Sequence, residues 1–303
     1  MRNPSVSVII ATRDRPQLLR RTLEAVLSQD YDGMVDVVLV FDQCPPDPSL
    51  ASAVEGRVVR VVTNERSHGL AGARNSGALA STGDILAFCD DDDVWLPGKV
   101  TRQVAVLQNS GADTVASGIL IDFEGQLTER VPTAEYLTVE ALLRRRVFEA
   151  HPSTVLVRRA AFFDQIGPVD EDIPGGYGED YDWMIRAAEH GPIALVPEPL
   201  VTVLWHRASF FAGRWETIIL ALDYLLAKHP RFADQPSGLA RIYGQKAFAY
   251  AGLGRRAEAR RWALRALRLA VTEKRAYLAL LISVRLLHAD VALRLAHAGG
   301  RGI

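Results

Sequence analysis

The sequence predicts an α/β protein: a doubly wound, mostly parallel sheet flanked by helices, followed by a C-terminal α-helical extension. Three observations predict it. Apolar, β-branched runs alternate with helical patterns through the first 110 residues, the order that builds parallel sheets. Three of the first four runs end in an acidic loop, and ligands of such sheets bind at the carboxyl ends of the strands. Beyond Arg214 the strand signals stop and helical spacing continues almost to the end. The expected division is residues 1–212 and residues 213–303.

Each element has a local cause. Residues 5–11 (SVSVIIA) form a run typical of a strand buried on both faces. Pro16 suits the first turn of a helix, which extends to about Gln29 with Leu19, Leu23, Val26 and Leu27 on one face. Residues 35–41 and 57–62 are further strands, separated by a loop in which Pro45 and Pro46 exclude a ladder. Residues 69–81 read as loop, then helix, and residues 84–89 as a strand that runs into Asp90, Asp91, Asp92 and Asp93. Pro97 opens the next helix. Residues 113–123 and 126–131 flank a turn at Glu124 and Gly125; residues 153–157, 193–196 and 200–205 read as short strands. A glycine-rich loop at 174–178 precedes a helix over 179–190.

Composition excludes several classes. The 303 residues are 49% hydrophobic and 23% charged, which rules out a disordered, collagenous or disulfide-built chain. No apolar stretch approaches the ~20 residues of a membrane span, and residues 1–5 lack the order of a signal peptide. Cys44 and Cys89 stand apart, so a cytoplasmic setting is expected. The net charge of −1 hides an asymmetry: residues 241–303 carry thirteen Lys or Arg against three acidic residues. There Arg256, Arg260, Arg261, Arg265 and Arg268 share one helix face. This basic face reads as solvated, or as a peripheral contact with anionic lipid at the inner face of the membrane. Nucleic acid is not an expected partner.

The run of four aspartates is the clearest chemical signal. Adjacent carboxylates repel, and a hard divalent cation with oxygen ligands resolves the conflict. No phosphate loop is present. The segment from His68 to Gly77 instead offers Arg74 beside a helix start, a plausible anion site. Asp180 follows a glycine-rich loop and opens a helix, a place from which a carboxylate can face a cleft or simply favour the helix start.

Four segments together resemble the inverting family-2 glycosyltransferases of the GT-A fold: SVIIATRDR (7–15), ARNSG (73–77), DDDDVWLPGK (90–99) and GEDYDW (178–183). The resemblance covers about residues 5–210. It implies a transferase that uses a nucleotide-diphosphate sugar, favours a UDP-sugar, and depends on Mg2+ or Mn2+ in building glycans or lipid-linked acceptors. It implies that Asp92 and His206 bind metal and that Asp90 and Asp91 contact ribose or sugar. Asp42 meets the nucleobase, Ala11, Thr12 and Asp14 lie beside it, and Arg74 is near the nucleotide. Asp180 is implied as the catalytic base. On the acceptor side the candidates are Glu179, Trp183 and His151. Asp42-Gln43-Cys44-Pro45 departs from the family's usual D-D-G-S. Two other readings stand beside this one: a Mg2+-dependent nucleotidyltransferase, and a non-catalytic protein that binds nucleotide sugar or acts as a scaffold. Residues 243–267 resemble one tetratricopeptide-like helix pair.

Overall fold

The computed structural model describes residues 3–147, 150–205, 211, 213–288 and 291. The chain divides into two compact units: residues 1–139, 147–171 and 179–205 make one, and residues 140–146, 172–178 and 206–303 the other.

The first unit is built on a mixed sheet. β1 (Val6–Thr12) and β2 (Val35–Phe41) are buried along their whole length, which explains their unbroken apolar sequence. β3 (Ser52–Val54) is short and exposed, and β4 (Arg57–Thr63), β5 (Ile85–Asp90) and β6 (Val94–Trp95) follow. β7 (Thr114–Phe123) and β8 (Gln126–Arg130) form a hairpin. Glu124 and Gly125 turn it with φ of 54° and 82°, as a two-residue hairpin turn requires. β9 (Tyr136–Leu137), β10 (Leu156–Arg158) and β11 (Ile193–Leu204) complete the sheet. The order is β3-β4-β2-β1-β5-β10-β7-β11-β6, with β8 on β7 and β9 on β11. β4, β2, β1 and β5 are parallel; β10 is antiparallel to both neighbours, and β11 runs parallel to β7.

Helices cover both faces of this sheet. In this unit they are α1 (Pro16–Leu27), α2 (Leu70–Ala80), α3 (Lys99–Ser110), α5 (Arg159–Ala161) and α6 (Glu179–His190); α4 (Val139–Arg144) falls, but for its first residue, in the second unit. Leu19, Leu23 and Val26 of α1 and Val100, Val104 and Leu107 of α3 share one apolar cluster with Val6, Val8 and Ile10. Against the opposite face lies α2. A Cβ on Gly77 would stand 2.4 Å from the Ile9 side chain, so only glycine permits that approach.

Three details differ from the sequence expectation. Residues 193–204 are one strand rather than two, because the prolines at 197 and 199 shift the register with β7 without ending the pairing. Only residues 156–158 of the stretch 153–157 and its end pair as a strand; Pro152–Thr154 is a 3-10 turn. α3 starts at Lys99, after Gly98 at φ 79°.

The second unit contains α7 (Trp215–Lys228), α8 (Pro236–Gly252), α9 (Arg256–Leu269) and α10 (Lys274–Ser283). The last three meet through alanines: Ala247 and Ala251, Ala259, Ala263 and Ala266, and Ala276 and Ala279. Side chains this small bring helix axes close together. Lys246 is buried, bonds to Asp223 and lies 3.5 Å from the Trp262 ring centre. On α9, Arg256, Arg260, Arg261 and Arg268 are exposed, while Arg265 is half-buried and stacks on Trp262. No helix among the described residues is long and apolar enough to cross a membrane.

Candidate active site

Parallel register brings the strand ends to one edge. Thr12 pairs with Phe41 across β1 and β2, and Ala11 with Asp90 across β1 and β5. The loops after all three strands therefore open on the same crevice.

The acidic loop is fastened from several sides. Thr12 Oγ1 donates to Asp91 at 2.7 Å, and Arg15 bonds both Asp91 (3.2 Å) and Asp92 (2.9 Å). Thr22 Oγ1 reaches the carbonyls of Asp91 and Asp93 at 3.0 and 2.7 Å. Burial raises the Asp91 carboxyl above its ordinary range despite Thr12 and Arg15. Asp93 is fully enclosed, accepts from Ser153 Oγ and lies 3.3 Å from His151 Nδ1. Burial first, then the neighbouring Asp90, pushes its carboxyl well up. One ligand atom each from Asp90, Asp93 and His151 lies within 4.8 Å of the others. Two carboxylates and an imidazole suit a divalent cation such as Mg2+ or Mn2+, whose charge would relieve the crowding of these acids.

Arg74 links this cluster to α6. It is buried, donates to Asp90 at 2.7 Å and to Glu179 at 2.9 Å, and its charge is reinforced by both acids. Burial and then Asp180 lift the Glu179 carboxyl to about 7, with Arg74 opposing. Asp180 is half-exposed and shares with Arg74 the wall of a pocket of about 310 Å³, part of it open to solvent.

The remaining sequence-derived residues fall in three groups. Asp42 lies in the crevice but is engaged: it accepts from Asn64 (2.8 Å), Gln43 (2.9 Å) and the Gly69 amide (3.0 Å). Ala11 is buried at the end of β1, whereas Asp14 is exposed at φ 55° beside Arg13. Trp183 is a core residue, bonded to the Gly167 carbonyl at 3.1 Å and packed on Phe88 and Phe162. His206 lies outside the described residues.

Sequence reasoning assigned no role to four residues that shape the site. Arg15 and Asp93 stand inside quoted motifs, and two arginines after one strand, set against four acids after another, are a usable signal. Ser153 had none. Neither had Glu171, which accepts from Arg66 (2.5 Å), Asn75 (2.6 Å) and the Ser67 amide (3.2 Å), joining the loop before α2 to the segment before α6. Burial disfavours the Glu171 carboxylate, but these bonds outweigh it and hold its pKa at about 2.

Comparison with known proteins gives this geometry a family. The chain is similar to the succinoglycan biosynthesis protein ExoO of Rhizobium meliloti, 26% identical over 73% of this chain and 65% of that protein, just under two thirds of its length. Residues 1–349 of S. aureus TarS, solved with UDP-GlcNAc, superpose with a TM-score of 0.58 at 18% identity, covering 98% of this chain and 92% of that one. The mannosyltransferase PcManGT of Pyrobaculum calidifontis, solved with GDP-Man and Mn2+, gives 0.54 at 18% identity, covering 97% of this chain and 88% of that one. Both structural likenesses concern the fold. The family described as Glycosyl transferase family 2 matches residues 7–164, just over half of the chain. The chain belongs to that family, and the protein is a glycosyltransferase.

Proposed function

We propose that the protein moves a sugar, with inversion, from a nucleotide-diphosphate sugar to a hydroxyl of a glycan or lipid-linked acceptor in polysaccharide biosynthesis. A UDP-sugar is the favoured donor. The observation that carries the reading is Arg74: through one guanidinium it ties Asp90 of the acidic loop to Glu179 at the start of α6, and it lines one pocket with Asp180. The donor's charged half then belongs with the acidic loop and the acceptor with α6.

Asp180 takes the proton of the acceptor hydroxyl, which is too weak a nucleophile without a positioned base. Attack from the side opposite the departing diphosphate inverts the anomeric carbon. Arg74 holds Asp90 and Glu179 in place, and Arg15 does the same for Asp91 and Asp92. Asp92, implied by the family motif, and Asp90, Asp93 and His151, which cluster in space, are the residues that would hold Mg2+ or Mn2+. Such an ion supplies positive charge for the leaving diphosphate. Ala11, Thr12 and Asp42 border the space left for the nucleobase. The exposed arginines of α9, with Leu264 among them, support peripheral contact with an anionic membrane, where a lipid-linked acceptor would reside.

A panel of nucleotide sugars, with and without Mn2+, tests the reading by thermal stability. A ligand present at a hundred times its dissociation constant stabilises the folded chain by about 2.7 kcal/mol. UDP-sugars with Mn2+ should raise Tm by several degrees. No shift with any nucleotide sugar would remove the reading. A nucleotidyltransferase would respond to nucleoside triphosphates instead.

A further inference from the structure

The pocket shared by Arg74 and Asp180 has a chemical character that the reaction itself does not require. Its remaining walls are apolar: Phe88 from β5, Val155 before β10, Val169, and Trp183 and Met184 from α6. Most of these side chains are nearly fully buried, and Phe88 and Trp183 are packed edge to face, so the walls are fixed. Pro152, directly after His151, also lines the pocket. An apolar recess therefore adjoins both Arg74, which holds Asp90 of the acidic loop, and the carboxylate proposed as the base.

Sugars carry little that suits such a recess. A hydroxyl placed there would lose its water partners without gaining others. The substituent nearest the reacting bond is the one on the neighbouring ring carbon: C2 of the donor, or the carbon beside the attacking hydroxyl of the acceptor. An acetamido group at that position ends in a methyl, while its amide stays near the ring. A deoxy-sugar methyl lies at C6, on the ring carbon beyond the ring oxygen, and so not on a carbon bonded to the donor's reacting carbon. We propose that this recess receives the methyl of an acetamido group on the sugar at the reaction centre, making the protein selective for a 2-acetamido sugar as donor or as acceptor. The proposal rests on the nucleotide-sugar reading above and adds the class of sugar.

The test uses the full chain with Mn2+ and the pocket-filling variant Val169→Phe, with Met184→Phe as a second in case the first does not fold. Calorimetry compares UDP, UDP-glucose and UDP-N-acetylglucosamine. Saturation-transfer NMR with free N-acetylglucosamine, against glucose, reads the acceptor arm. A methyl-sized group in an apolar pocket is worth about 10- to 200-fold. If the donor supplies the group, the wild type binds UDP-N-acetylglucosamine at least about tenfold more tightly than UDP-glucose, and filling the recess brings the ratio close to one with UDP affinity unchanged. If the acceptor supplies it, the donors bind alike, and the acetamido methyl of N-acetylglucosamine is saturated in the wild type and loses that signal in the variant. Equal donor affinities together with no methyl saturation overturn the proposal while UDP binding leaves the nucleotide-sugar reading standing. Failure of UDP and both UDP-sugars to bind counts against that reading instead, and the NMR arm still decides the recess.

Discussion

At the scale of single residues, the site mixes groups whose roles the sequence carried with groups set only by burial. Asp90 to Asp93 were legible because four adjacent carboxylates after a buried strand have few structural uses. Glu179 was legible as an acid at a helix start, but not as the buried partner of Arg74, since nothing local encodes a bond across 105 positions. Lys99 is the sharpest example. Its amine is fully buried, 3.8 Å from the Trp95 ring centre, with no hydrogen-bond partner among the described residues. Burial lowers its pKa to about 7. The unfolded chain holds that proton up to ~10.4, so between these values the unfolded state binds more protons and stability rises with pH. Below pH 7 the cost of the buried charge is fully present. Lys99→Met should therefore stabilise the protein by about 1–4 kcal/mol near pH 6, the range seen when buried charges give way to apolar groups. The gain should shrink by pH 9. Thermal melts at the two pH values check this; an equal shift at both would mean that Lys99 is not the titrating group.

At the scale of elements, the alternation of strand and helix was readable because β1, β2 and β5 are buried on both faces and α1 and α3 each bury one apolar stripe. The errors fell where tertiary pairing overrides local signals. Pro197 and Pro199 argued for a break, yet β11 continues because β7 pairs with it on either side of the irregularity, with β9 holding it before and β6 after. Residues 153–154 looked like strand but turn, with Thr154 Oγ1 bonding the His151 carbonyl at 2.7 Å and Ser153 engaging Asp93. The junction at Glu171 was invisible for the same reason: it joins two loops that are far apart in sequence. Glu171→Gln keeps the size of the side chain and removes the charge that Arg66 and Asn75 address. Hydrogen bonds to charged groups are worth about 1.5–3 kcal/mol, so the variant should lose roughly that much stability at pH 7. Because the folded pKa is held at about 2, the wild-type advantage should be full above the unfolded value and vanish as pH falls from about 4.5 to 2. Urea titrations at pH 7 and pH 3 give the comparison, and a deficit that is constant with pH would contradict the assignment.

At the scale of the whole molecule, the charge asymmetry is the feature that outlasts the fold. α9 exposes Arg260, Leu264 and Arg268 at helical spacing, and α10 exposes Tyr277 and Leu281, with Val284 just after it. A face of this composition should prefer anionic bilayers, each basic group adding about 1 kcal/mol near the surface and losing it to salt. Liposome flotation should recover the protein with phosphatidylglycerol vesicles at low salt and release it at high salt; equal recovery on neutral vesicles would contradict the electrostatic account.

The central claim concerns the division of labour across the crevice: a donor side at the acidic loop and a base at Asp180. Asp180→Asn preserves size and hydrogen bonding but cannot accept a proton at neutral pH. The direct measurement pairs calorimetric donor titration with a transfer assay on one preparation of this variant. The account predicts donor affinity within about threefold of wild type, or ~0.7 kcal/mol, and transfer slower by about 10² to 10⁴, the worth of a positioned base. Near-normal turnover in Asp180→Asn would contradict it.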